Sequence, residues 1–178
     1  MDFSENDLYK TIDFPSEEVL LKEKNSKFFG YAIPVTSEED VKENLERLRK
    51  EHFSARHWCY AYQIGTEKIQ YRANDDGEPN NSAGMPIYGQ IQSFEVTNVL
   101  VVVVRYFGGV KLGVGGLISA YKTAAQMALE NATIVEKTIN KHFIISFGYA
   151  HMNKVMRIIK EKNLQIISQK MEMDCEIE

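Results

Sequence analysis

Val99 to Ala125, VLVVVVRYFGGVKLGVGGLISAYKTAA, is the stretch whose reading decides the fold. Val99 to Val104 form an unbroken, mostly β-branched apolar run, the pattern of a strand buried on both faces. Five glycines follow within nine positions: Gly108, Gly109, Gly113, Gly115 and Gly116. Leu117 to Leu129 then reads as a helix with small, Ala-rich faces. Strand, glycine loop and helix N-terminus together can offer free backbone N–H groups to an anion. No Asp or Glu lies between Glu95 and Glu130, whereas Arg105, Lys111 and Lys122 do, so the element is locally cationic in a chain of net charge -4. The candidate anion- or nucleic-acid-binding residues are therefore Arg105, Lys111, Gly113, Gly115, Gly116 and Lys122. A purely structural reading is compatible with this one: the glycines permit positive φ and let the helix pack closely on the sheet.

Two nucleotide-loop patterns fail. No glycine is followed by Lys-Ser or Lys-Thr, as a Walker loop requires, and the GxGxxG pattern that starts at Gly113 and Gly115 meets Ile118 at its third glycine.

Working outward, Tyr9 to Ile12, Glu18 to Lys24 and Lys27 to Ile33 read as short strands. Ser37 is an N-cap, with Glu39 and Asp40 in the first turn, for a helix reaching Lys50 with Val41, Leu45 and Leu48 on its apolar face. Ala55 to Ile64 alternates as a strand, with His57, Cys59, Ala61 and Gln63 on one face and Arg56, Trp58, Tyr60 and Tyr62 on the other. Ile69 to Ala73 is its expected partner. Asn74 to Ala83 has loop composition, and Pro86 is placed to start a helix to Phe94. Beyond Thr133 the pattern restarts, with a strand over Lys141 to Tyr149, a helix over Met152 to Lys162 and a strand over Leu164 to Met173. That is half of a βαββαβ ferredoxin-like unit. The expected division is residues 1–133 and 138–178, the second piece being incomplete or truncated, and an exposed sheet edge there would be a pairing liability.

Three clusters invite chemistry. His57 and Cys59 share a strand face, but side chains at i and i+2 stand about 6–7 Å apart, too far for a thiol–imidazole pair. Cys59 reads as a buried structural thiol and His57 as a polar contact to the following loop. Asp75, Asp76 and Glu78 could serve Mg²⁺-phosphate binding or acid–base work. Turn chemistry, with ion pairs to Arg56, Arg72 or Arg105, is the favoured reading. Tyr106 and Phe107 read as core rather than as a stacking surface for a base.

Composition narrows the class. With 44% hydrophobic and 11% aromatic residues the chain can build a proper core. Its two cysteines, Cys59 and Cys175, are far apart, and there are four His but no C-x-x-C or H-E-x-x-H, so no metal site or cofactor is expected. The opening MDFSENDLYK has no signal-peptide character, and no apolar run is long enough to span a bilayer. A cytoplasmic protein without membrane contact is expected. Mild acidity argues against indiscriminate nucleic-acid binding and leaves room for a local basic surface.

The motifs resemble the YigZ/IMPACT family. Arg105-Tyr106-Phe107-Gly108-Gly109, Lys111-Leu112-Gly113 and Gly115-Gly116-Leu117 are similar to its RYFGG…KLG…GGL signature. Ala55-Arg56-His57 with Cys59 and Ala61-Tyr62 resembles its ARHxCxAY strand, Asp75-Asp76-Gly77-Glu78-Pro79 with Ala83-Gly84 and Pro86-Ile87 its DDGEP…AGxPI loop, and Lys24 to Pro34 its early strand. The likeness spans roughly residues 17 to 131, in order. Ser119-Ala120-Tyr121-Lys122 stands where members often carry Arg-Ala-Tyr-Gly, which puts a role for that Arg in doubt here.

The resemblance implies an α+β fold, a two-layer α/β sandwich like domain IV of elongation factor G, followed by a small ferredoxin-like domain similar to that factor's domain V. It also implies regulation of translation, which eukaryotic members exert under amino-acid starvation with an additional amino-terminal domain. The expected function is a non-enzymatic regulator that binds RNA, the ribosome or a protein partner in translation control. The alternative is an enzyme acting on a phosphorylated small molecule or nucleotide, using the glycine loop together with a second loop of His57, Asp75, Asp76 and Glu78.

Overall fold

The computed structural model describes residues 7–178, so the signal-peptide reading of the opening segment lies largely outside them. The chain forms two compact units, the first ending at Ile139 and the second beginning at Asn140.

The first unit is built on a five-stranded antiparallel sheet. Its strands are β2 (Val19–Glu23), β3 (Ser26–Pro34), β4 (His57–Ile64), β5 (Gln70–Asn74) and β6 (Val99–Tyr106), in the order β2-β3-β6-β4-β5. β6 is central, and its alternation decides the layers. Val99, Val101 and Val103 point toward α2 (Gly84–Ser93) and α3 (Gly113–Asn131), meeting Ile87, Ile91, Leu117 and Tyr121. Leu100, Val102 and Val104 point the other way, among Tyr31, Ile33, Tyr60 and Tyr62, where α1 (Glu38–Glu51) adds Val41 and Leu48. Helices on both faces explain how an antiparallel strand can be apolar throughout. They also correct the expected two-layer sandwich: the unit has three layers, because the second sheet face is too apolar to meet water.

Local signals set most boundaries. Ser37 and Asp40 form a reciprocal capping box at the start of α1. α2 starts at Gly84, ahead of Pro86, because the Asp75 carboxylate accepts from the N–H groups of Ala83 at 3.0 Å and Gly84 at 2.8 Å. α3 starts at Gly113 rather than Leu117, so Gly113 to Gly116 form its first turn and not a loop. β7 (Ile134–Thr138) pairs antiparallel with β1 (Leu8–Ile12), which carries the first unit past the expected limit at residue 133.

The second unit comprises β8 (Ile145–Gly148), a 3-10 turn over Tyr149–His151, α4 (Met152–Glu161), β9 (Gln169–Lys170) and β10 (Asp174–Ile177). Its antiparallel sheet runs β8-β10-β9. The long strand expected over Leu164 to Met173 is reduced to two residues, and the final residues supply the central strand instead. Cys175 and Ile177 alternate inward on β10 and are buried, as is Ile159 of α4. Among the described residues no helix is long and apolar enough to cross a membrane.

Close contact between β3 and α3 yields a stability prediction. A Cβ on Gly30 would lie 2.8 Å from the Ala124 carbonyl oxygen and 2.9 Å from Val19 Cγ2. Gly30→Ala is expected to destabilise the first unit by about 1–3 kcal/mol, since backbone must move to admit the methyl group. Denaturant unfolding measures it, and an unchanged midpoint would show that the layers are not packed this tightly.

Candidate functional site

The predicted site residues other than Lys122 gather at the end of the sheet where β6 finishes. In register, Arg105 lies opposite Phe28 of β3 and His57 of β4, and Tyr106 lies opposite Lys27. Arg105 continues the alternation toward α3 and is buried. Its Nη1 donates to Glu78 Oε1 at 2.6 Å, and Nη2 reaches Ser26 Oγ at 3.4 Å. The guanidinium carbon lies 5.5 Å from both the Phe28 and Phe107 ring centres, and Nε is buried without a partner. Tyr121 of α3 donates a second hydrogen bond to Glu78 Oε1, at 2.7 Å. Arg105 is thus engaged inside the fold and does not present its charge to a ligand.

Every acid of the second loop is likewise engaged. Asp75 accepts from the N–H of Asn81 at 2.9 Å, besides the two at the start of α2. Asp76 Oδ2 accepts from the Trp58 N–H at 2.8 Å, and Oδ1 accepts from Arg49 at 3.1 Å. The two strand residues hold the loop's backbone. His57 Nδ1 lies 2.8 Å from the Asp76 carbonyl, so that nitrogen carries a proton, and Cys59 Sγ donates to the Asp75 carbonyl at 3.0 Å. His57 Nε2 stands 3.9 Å from Glu78 Oε1. The ion-pair partners are therefore Arg49 and Arg105; Arg56 instead approaches the Phe107 ring at 5.8 Å. Among the described residues no group of three or more His, Cys, Asp or Glu is placed to hold a metal ion.

On the other sheet face Tyr106 joins a second cluster. Tyr31 donates its hydroxyl proton to the Glu18 carboxylate and lies 2.5 Å from His52 Nε2, while His52 Nδ1 meets the Tyr106 hydroxyl at 3.0 Å. Since Tyr31 gives its one proton to Glu18, it accepts from His52 Nε2–H, and the other ring nitrogen shares a hydrogen bond with the Tyr106 hydroxyl. Burial, then the Glu18 contact, pushes the Tyr31 phenol above its ordinary value.

What remains outside is cationic. The β2–β3 turn places Lys24 and Asn25 at positive φ, the geometry of a two-residue hairpin. This turn packs against the glycine loop: a Cβ on Gly108 would fall 2.0 Å from the Asn25 carbonyl carbon, so only glycine fits there. The Gly108 N–H donates to Ser26 Oγ at 3.2 Å. Lys24 and Lys27 thereby flank the loop that carries Lys111, with Arg56 beside Phe107. All four are exposed, and among the described residues none has an ion-pair partner. Sequence reading missed Lys24, Lys27 and Arg56 as members of the site, because only the long-range register brings them to it.

The glycines divide. Gly109 and Gly113 adopt φ of +85° and +75°, and the space a Cβ would fill at Gly115 is open. Gly116 faces Leu112 Cβ at 3.0 Å. No side chain caps α3, and no acid lies in its first turn. Lys122 stands nine residues along α3 from Gly113, roughly 13 Å down the axis and apart from the loop. Phe107, expected in the core, is 40% exposed.

Against this geometry, a family model described as the Impact N-terminal domain matches residues 24–129. The chain belongs to the IMPACT family. The IMPACT family member YvyE of Bacillus subtilis is 34% identical over 153 residues, covering 86% of this chain and 70% of the relative. YigZ of Escherichia coli is 33% identical over 147 residues, covering 82% and 72%. A crystal structure of a hypothetical protein superposes with a TM-score of 0.78 at 29% identity, over 96% of this chain and 84% of that one. The part matched by the IMPACT family model includes the whole sheet end, from Lys24 to the first turn of α3.

Cys59 and Tyr121 give a pH prediction. Burial pushes the thiol and the phenol well above their ordinary values of 9.0 and 10.0, and the nearby Glu78 charge adds to it. The unfolded chain ionises both groups while the native site holds both neutral. Stability is therefore fully present below about pH 9 and falls as pH rises further. Chemical unfolding followed across pH 7 to 11 should show that decline, with Cys59→Ala delaying its onset toward the tyrosine value. Glu78→Gln, which leaves Arg105 buried without its counter-charge, is expected to cost about 3–5 kcal/mol.

Proposed function

We propose that this chain is a non-enzymatic regulator of translation that acts in the cytoplasm by binding RNA, alone or in the ribosome, through the end of the sheet. The observation that carries this reading is the separation of charge at that end. The acids of the Asp-rich loop are all engaged, Glu78 in the core with Arg105 and the partly exposed Asp76 with Arg49, while Lys24, Lys27, Arg56 and Lys111 are exposed and in no ion pair among the described residues. The uncapped first turn of α3 adds backbone N–H groups suited to a phosphate. Membership of the IMPACT family supports the link to translation, with a protein partner in translation control as the other form of the same reading. An enzyme of phosphorylated small molecules is less well supported, since Asp75, Asp76 and Glu78 are already engaged in structural bonds.

The first unit is taken as the counterpart of domain IV of elongation factor G. The second is taken as part of a ferredoxin-like domain: β8 and β9 run parallel with β10 between them and α4 connecting them, a split βαβ arrangement.

Lys111→Ala tests the reading. RNA binding by the full chain should weaken with salt, and this variant should lower affinity and flatten the log–log salt slope by about 0.7–0.9, the share of one phosphate contact. Unchanged affinity and slope in a folded variant would overturn the anion-binding role. In lysate pull-downs, ribosomal proteins lost on nuclease treatment would mark RNA contact, whereas a nuclease-resistant partner would mark a protein interface.

A further inference from the structure

Resting on the RNA reading above, we infer that the sheet end selects single-stranded over duplex RNA. Phe107 serves as the platform for one unpaired base, and Lys24, Lys27 and Arg56 hold the flanking phosphates. Phe107 follows the last residue of β6 and leaves 40% of its surface exposed, with the buried Arg105 guanidinium 5.5 Å from its ring centre and the exposed Arg56 guanidinium at 5.8 Å. An aromatic ring next to an unpaired guanidinium matches what an unstacked base offers: a π face together with the negative charge of its own backbone. The lysines are in place on the opposite side of the loop. Lys27 lies across from Tyr106 in the β3–β6 register, and the Asn25 backbone rests against Gly108. No carboxylate occurs between Glu95 and Glu130 to repel phosphates from the loop, although Glu23 precedes the lysine turn. A duplex would meet these cations but keep its base faces stacked on one another, so Phe107 distinguishes the two forms. An acidic polypeptide would satisfy the cations and leave the ring unused.

The test uses the full chain and a labelled oligouridylate of about ten nucleotides, free or annealed to its complement, with binding followed by fluorescence anisotropy. The single strand should bind more tightly than the duplex. Phe107→Ala should weaken single-strand binding by about 5- to 150-fold, the effect of losing one base stack, with the salt slope unchanged and duplex binding unaffected. Phe107→Trp should retain binding. Replacing Lys24 and Lys27 together by Ala should flatten the single-strand slope by about 1.4, at about 0.7 for each phosphate. A folded Phe107→Ala protein that binds like the original, a duplex bound as tightly as the single strand, or polyglutamate competing as well as oligouridylate would each overturn the inference. If Phe107→Ala has no effect while the lysine changes flatten the slope, single-strand selection fails and the RNA reading stands. If the original chain binds neither RNA form, both fail.

Discussion

The buried pair of Arg105 and Glu78 is the contact on which the rest of this sheet end depends. It ties the last inward-facing residue of the central strand to the only carboxylate of the Asp-rich loop that is itself buried. A pair of this kind contributes little net stability over an apolar packing of equal size, but either partner left alone is costly. The loop therefore cannot drift from the strand without stranding a charge in the core. Around this anchor the other bonds take up fixed places: Tyr121 on Glu78, Ser26 between Arg105 and Gly108, His57 and Cys59 on the loop carbonyls.

The strand end is held from its other face as well. Tyr106 points away from Arg105 into the cluster of His52, Tyr31 and Glu18, with Phe29 against both the imidazole and the Tyr106 ring. The glycine loop thus leaves a strand fixed by an ion pair on one side and a hydrogen-bonded aromatic chain on the other. Such a base lets a short, glycine-rich segment present its charges in a defined place. A ligand bound there would meet a preorganised surface and cost little ordering entropy.

Much of the fold was legible because its signals are local. The valine run announces a strand covered on both faces, and Ser37 with Asp40 spells out a helix start within four residues. What escaped the sequence is what depends on distant partners. The start of α2 is set by Asp75, nine residues before Gly84, through a loop whose path no periodicity describes. Glycine's poor helix propensity hid the first turn of α3, where tertiary packing of Leu117 and Tyr121 outweighs it. The layer count escaped because nothing in an amphipathic helix says which sheet face it covers. Phe107 was misplaced because β6 ends at Tyr106, after which alternation no longer assigns a side chain to the core. For the site itself, the family motifs located the loops, but the pairing of Lys27 with Tyr106 that assembles the cations is a matter of register.

Net charge gives the arrangement its directional character. The chain is acidic as a whole, at -4, yet the segment from Val96 to Leu129 carries three cations and no acid. The fold sharpens that contrast by engaging Asp75, Asp76 and Glu78 in internal bonds and bringing in Lys24, Lys27 and Arg56 from segments remote in sequence. The chain as a whole repels a polyanion, while the end of β6 gathers cations that are in no ion pair among the described residues. A uniformly basic protein would hold RNA in any orientation. If the sheet end binds RNA as proposed, attraction confined to that end would restrict the productive encounter to the face that also carries Phe107 and the first turn of α3.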